Sequence, residues 1–61
     1  MEICINKKNG KRYVGMAEGI DCTNVRDGTP VIVYYPEDNP ALICVRERAE
    51  FLAKFDPESA R

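Results

Sequence analysis

The sequence predicts a mainly β (α+β) fold: four or five antiparallel strands forming a small sheet or barrel, closed by one short C-terminal helix. Three observations lead there. Two dipeptides of the kind that close hairpins, Asn9-Gly10 and Asp27-Gly28, are flanked by apolar stretches. The run Val31, Ile32, Val33, Tyr34, Tyr35 is wholly β-branched or aromatic. Helical periodicity comes late, over residues 47–55.

Asn9-Gly10 suits a two-residue type I′ turn, because both central positions need positive φ. A turn there pairs Lys8 with Lys11, Lys7 with Arg12, Asn6 with Tyr13, Ile5 with Val14 and Ile3 with Met16. Cross-strand partners share a face, so Ile3, Ile5, Val14 and Met16 gather on one side. Gly15 and Gly19 then mark a bulge or sharp bend in the second strand. Residues 19–24 read as a bent strand or an irregular connection. If Asp27-Gly28 closes a second hairpin, Val33 faces Cys22, Tyr35 faces Ile20 and Val31 lies opposite Asn24. That register puts Val31, Val33 and Tyr35 on one face and Ile32 and Tyr34 on the other; Pro30 weakens it beside the turn.

Pro36 and Pro40 bracket a loop, since each fixes φ. Residues 41–46 return as a strand, apolar on both faces through Leu42, Ile43, Cys44 and Val45. The helix of residues 47–55 carries Ala49, Leu52 and Ala53, with Phe51 and Phe55 four apart, as its apolar stripe. Glu50 and Lys54 have the spacing of a solvent-side ion pair. Asp56-Pro57 ends the helix, so residues 1–56 are expected to form one domain and residues 57–61 a frayed tail. The expected core is Ile3, Ile5, Val14, Met16, Val31, Val33, Leu42, Ile43, Val45, Leu52 and Phe55.

A chain of 61 residues buries only about 60% of the surface its unfolded form exposes, so such a core is marginal. The composition, 44% hydrophobic and 31% charged, is that of a folded domain and not a disordered one. Three widely spaced cysteines, Cys4, Cys22 and Cys44, argue against a disulfide framework. The absence of histidine and of any Cys-x-x-Cys pair argues against structural zinc. Each cysteine is expected to be a small buried thiol in a reducing compartment. The apolar runs are far short of the roughly 20 residues a membrane helix needs, and the first residues lack a secretory h-region. Cytoplasmic residence is expected.

Little in the chain supports catalysis. Without histidine, the usual general base near neutral pH is missing. Glu18 and Asp21 are an available carboxylate pair, but carboxylates at turn-like positions are ordinarily solvated. Gly15 and Gly19 lack the further glycine and following helix of a phosphate-cradling loop. No catalytic residue, metal or cofactor is expected. The net charge of −1 conceals a concentration of positive charge in Lys7, Lys8, Lys11 and Arg12, which leaves −5 on the rest of the chain. With Tyr13 beside it, that cluster could grip phosphates and stack a base. Lysines at a hairpin end also keep an exposed edge soluble. Adjacent Tyr34 and Tyr35 must face opposite ways, one into the core and one available to a partner. Arg46, where the last strand meets the helix, is placed to pair with a carboxylate and brace that junction. The candidate binding surface is therefore Lys7, Lys8, Lys11, Arg12, Tyr13, Tyr34 and Arg46.

Gly10, Tyr13, Val14, Gly15 and Ala17, then Val33 and Tyr34, then Val45, Arg46, Phe51 and Leu52 carry a resemblance over residues 9–55. On these residues the chain resembles a small bacterial domain-of-unknown-function family. That family has an early hairpin, a Val-Tyr strand and an aromatic-Val-Arg-Pro segment leading into a Phe-containing helix. Cys44 stands where the family has Trp, Glu47 where it has Pro, and its acid-Thr signature is reduced to Cys22-Thr23. The resemblance implies an SH3-like β arrangement with a helical cap and brings no catalytic residues. The function expected is a non-catalytic protein-interaction or regulatory module, an accessory protein of a bacterium or phage. Its partner would be another protein or, through a sheet edge, a second copy. The alternative is nucleic-acid binding through the basic hairpin.

Overall fold

In the computed structural model, which describes residues 2–23, 25 and 27–60, the chain forms one open five-stranded antiparallel sheet with a single short α-helix. The strands are β1 (Glu2–Asn6), β2 (Arg12–Asp21), β3 (Thr29–Pro36), β4 (Cys44–Glu47) and β5 (Phe55–Pro57). The helix, α1 (Arg48–Lys54), lies between β4 and β5, and a 3₁₀ turn (Glu58–Ala60) follows. Strand order is β4-β3-β2-β1-β5, so consecutive hairpins run to one edge and the chain after α1 returns to the other.

The first hairpin forms, two residues out of the expected register. Ile3 pairs with Val14, Cys4 with Tyr13 and Ile5 with Arg12. The cause is the loop. The Asn6 side-chain oxygen accepts the Lys8 backbone N–H at 2.8 Å, and the Asn6 carbonyl accepts the Gly10 N–H at 2.8 Å. That turn spans four residues where a two-residue turn was expected, with Gly10 alone taking positive φ (+72°). A slip of two preserves the faces, so Ile3, Ile5 and Val14 stay together, whereas Met16 falls at the bulge between Gly15 and Ala17 and is exposed.

In the second hairpin Asp21 pairs with Thr29, Ile20 with Pro30, Gly19 with Val31 and Ala17 with Val33. Gly28, at φ +87°, closes a longer loop by donating its N–H to the Asp21 carbonyl at 2.9 Å. The register expected from a tight Asp27-Gly28 turn is therefore replaced; its Asn24 position lies outside the described residues. The alternation along β3 survives, with Val31, Val33 and Tyr35 on one face and Ile32 and Tyr34 on the other.

Two consecutive turns join β3 to β4: Asn39 N–H to the Pro36 carbonyl at 3.0 Å, then Leu42 N–H to the Asn39 carbonyl at 3.1 Å. Pro40 occupies the second position of the second turn, where its fixed φ is favourable. Leu42 and Ile43 are consequently outside the strand that was expected to contain them.

The core lies on the sheet face that carries Cys4, Tyr13, Ile32, Tyr34 and Cys44, under α1 and the start of β5. Phe51 and Phe55 stack with centroids 4.4 Å apart. Tyr34 meets both edge-on and also meets Tyr13, which packs edge-on against Phe55. Such pairs add about 0.5–1.5 kcal/mol each beyond the area they bury. Of the expected core, Ile5, Val14, Val31 and Phe55 are buried and Ile3 and Val33 partly so. Met16, Leu42, Ile43, Val45 and Leu52 are exposed. In α1 only Phe51 is buried, because seven residues make two turns and the next core residue, Phe55, is already extended.

After α1 the chain continues as β5 and the 3₁₀ turn. Phe55–Pro57 pairs with β1 through Cys4, Ile5 and Asn6. Glu58, expected in a frayed tail, contacts the Arg12 guanidinium. The residue before Pro57 is extended as anticipated, and the sheet edge at β1 turns that constraint into a strand.

Candidate interaction surfaces

The fold divides the seven candidate binding residues among three places. Tyr13 and Tyr34 belong to the aromatic core, and Tyr34 is only 4% exposed. Tyr13 is partly buried and packs edge-on against Tyr34 and Phe55. Tyr35, on the opposite face of β3, is half-buried.

Lys11 and Arg12 face the loop after β3. Glu37 donates its N–H to the Arg12 carbonyl at 3.1 Å, which brings the acidic turn over the basic strand. Arg12 Nε then donates to the Glu37 carboxylate at 3.0 Å, and its Nη1 meets Glu58. Hydrogen bonds to Glu37 and Glu58 hold the Arg12 guanidinium above its already high pKa. Lys11 Nζ stands 3.9 Å from Asp38. Much of the positive charge that the sequence concentrates here is answered within the molecule.

Lys7, Lys8 and Arg46 form the third group, at the end of α1. Lys7 Nζ lies 3.7 Å from Asp56. Arg46 Nε donates to the Tyr34 hydroxyl at 3.1 Å, and its Nη1 donates to Glu50. The Tyr34 bond, and less so Glu50, raises the Arg46 pKa. Arg46 thus braces the β4–α1 junction as its position suggested. Glu50 is thereby committed to Arg46, and the expected pair with Lys54 does not form.

Glu18 and Asp21 do not converge. Their pairing partners, Ile32 and Thr29, lie on opposite faces of β3. Glu18 accepts from Arg48 Nε at 3.1 Å, and Asp21 accepts the Thr23 N–H at 2.8 Å. The Glu18–Arg48 pair borders an open groove of about 510 Å³ between α1 and β2, lined also by Cys4, Met16, Phe51 and Leu52. Of the cysteines expected to be buried, Cys4 is, Cys44 is half-buried and Cys22 is exposed. Burial, reinforced by Glu2, pushes the Cys4 thiol pKa up, away from nucleophilic use. Among the described residues no cluster of His, Cys, Asp or Glu could hold a metal ion, and no helix is long and apolar enough to cross a membrane.

Two features went unread in the sequence. One is Lys54, which shares a pocket with Lys7, Lys8 and Arg46. The other is an exposed apolar strip, Leu42 and Ile43 at 52% and Val45 at 63%, on and just before the edge strand β4. Val45 pairs with Val33, so the strip continues onto the sheet face opposite α1. The signal was present as an apolar run, but it read equally well as core. No family model, curated protein or solved structure matches the chain.

Proposed function

We propose that the chain is a cytoplasmic, non-catalytic protein-interaction module that meets its partner along β4 and the turn before it. The observation that carries this reading is the exposed strip of Leu42, Ile43 and Val45. β4 is terminal in the sheet, so it also offers backbone N–H and C=O groups to an incoming strand. Apolar side chains beside an open strand edge are the elements of strand-addition binding, in which the backbone gives affinity and the side chains give selectivity. A second copy of the chain is one partner able to use the same edge. The strand order, with a short helix before the last strand, is compatible with the SH3-like arrangement that the family resemblance implies. Nucleic-acid binding through the basic hairpin draws less support, because Lys7, Lys11 and Arg12 face carboxylates and Tyr13 is in the core.

Affinity capture from lysate of the source cell, with and without nuclease, tests this reading. The native chain should recover a protein in both conditions, and Ile43→Lys/Val45→Lys should lose it. Recovery only through nucleic acid, or equal recovery by both chains, would overturn it. Sedimentation of the native chain separates self-association from a foreign partner.

A further inference from the structure

Lys7, Lys11, Arg12, Arg46 and Arg48 each stand within 4.0 Å of a carboxylate. Among the described residues Lys8 and Lys54 are the basic side chains without such a partner, and both line one pocket of about 350 Å³. The other walls are Asn6, Lys7, Arg46 and Ala53. Backbone geometry holds the two sides together: the Lys7 N–H donates to the Lys54 carbonyl at 2.9 Å, pinning the end of α1 against the first hairpin. Four cations therefore share a site in which Asp56 meets Lys7 and Glu50 meets Arg46. Like charges held at short range repel one another, and an anion between them would remove that repulsion.

We propose that this pocket is an anion site for a phosphate group. Lys8 and Lys54 supply its principal charges, and Arg46 supplies the guanidinium N–H groups that Tyr34 and Glu50 leave free. The Asn6 oxygen accepts the Lys8 backbone N–H, so its amide NH₂ remains to donate. The uncompensated charge of two lysines matches a phosphate monoester, which carries about −1.5 to −2 at neutral pH and three acceptor oxygens. A single carboxylate would leave one lysine unanswered. The phosphate could belong to a small molecule or, as two neighbouring diesters of one charge each, to a nucleic-acid backbone. This site is separate from the β4 strip and does not depend on it.

Amide-resolved NMR titration of the full chain at low salt distinguishes these sources, with inorganic pyrophosphate in one arm and octathymidylate in the other. The expected result is a saturable shift at Lys7, Lys8, Ala53 and Lys54. Saturation by pyrophosphate assigns a small phosphate ligand, and saturation by octathymidylate alone assigns a strand backbone. Lys8→Ala/Lys54→Ala should weaken binding by about tenfold or more, the size expected for lost charged hydrogen bonds. Lys8→Arg/Lys54→Arg should retain binding, and Lys11→Ala should change it little. Spectral dispersion of each variant checks folding. Absence of a saturable shift in both arms would overturn the proposal. So would a loss with Lys11→Ala as large as that with the pocket variant.

Discussion

Tyr34 joins the two halves of this molecule's chemistry. Its ring touches Tyr13, Phe51 and Phe55, and its hydroxyl accepts from Arg46 at the surface. Tyr34→Phe removes only the hydroxyl and should lower unfolding free energy by about 1 kcal/mol. Tyr34→Ala removes the ring and should cost about 3–5 kcal/mol. Natural stability is roughly 0.05–0.15 kcal/mol per residue, so the alanine variant should lose a large fraction of the total; urea denaturation checks both. Cys4 gives a prediction in pH. Its native pKa is raised above the ordinary value of 9.0, so near that pH the unfolded chain releases a proton that the native chain keeps. The stabilising contribution is complete below the unfolded pKa and is lost as pH rises through the native one. The stability advantage of the native chain over Cys4→Ala should shrink above about pH 9; an unchanged difference from pH 7 to 10 would refute it. That adjacent tyrosines face opposite ways was legible in the sequence. Which of them is core was not, because that depends on the side to which α1 docks.

At the scale of elements, strand identity was more legible than register. β-branched and aromatic residues mark β3, and the two glycine turns mark hairpins, because these signals are local. Register was lost where a side chain competed for the turn. Asn6 captures the Lys8 N–H and widens the first loop, leaving Gly10 as its one left-handed residue. A Cβ at Gly10 would meet nothing within 4 Å, so Gly10→Ala should cost only the backbone penalty, about 1–2 kcal/mol. Thermal unfolding of that variant checks the value, and no loss would show that the loop relaxes to negative φ. The late strand β5 was hidden for a different reason. Three residues before a 3₁₀ turn carry no periodicity, and only the open edge of β1 makes them a strand.

Over the whole molecule, the first half meets the second through charge and the aromatic core. The turn after β3 folds its carboxylates over Lys11 and Arg12, and Glu58 closes on Arg12 from the other end of the chain. Exposed pairs of this kind contribute little to stability, being screened by solvent, so their greater effect is on what the surface offers a partner. With Lys11 and Arg12 answered internally, the surface offers an apolar strip at β4 and, at the end of α1, Lys8 and Lys54 without carboxylates. The sequence concealed this division because an apolar run reads as core wherever it stands, while the contacts that answer charge span 25 to 46 residues. The central claim is that β4 makes the functional contact. A photo-crosslinking residue placed at Val45 in the source cell tests it most directly, with the same residue at Asn9 as control. The expected result is a discrete protein adduct from position 45 and none from position 9. Adducts from position 9 alone, or none from position 45, would contradict the claim.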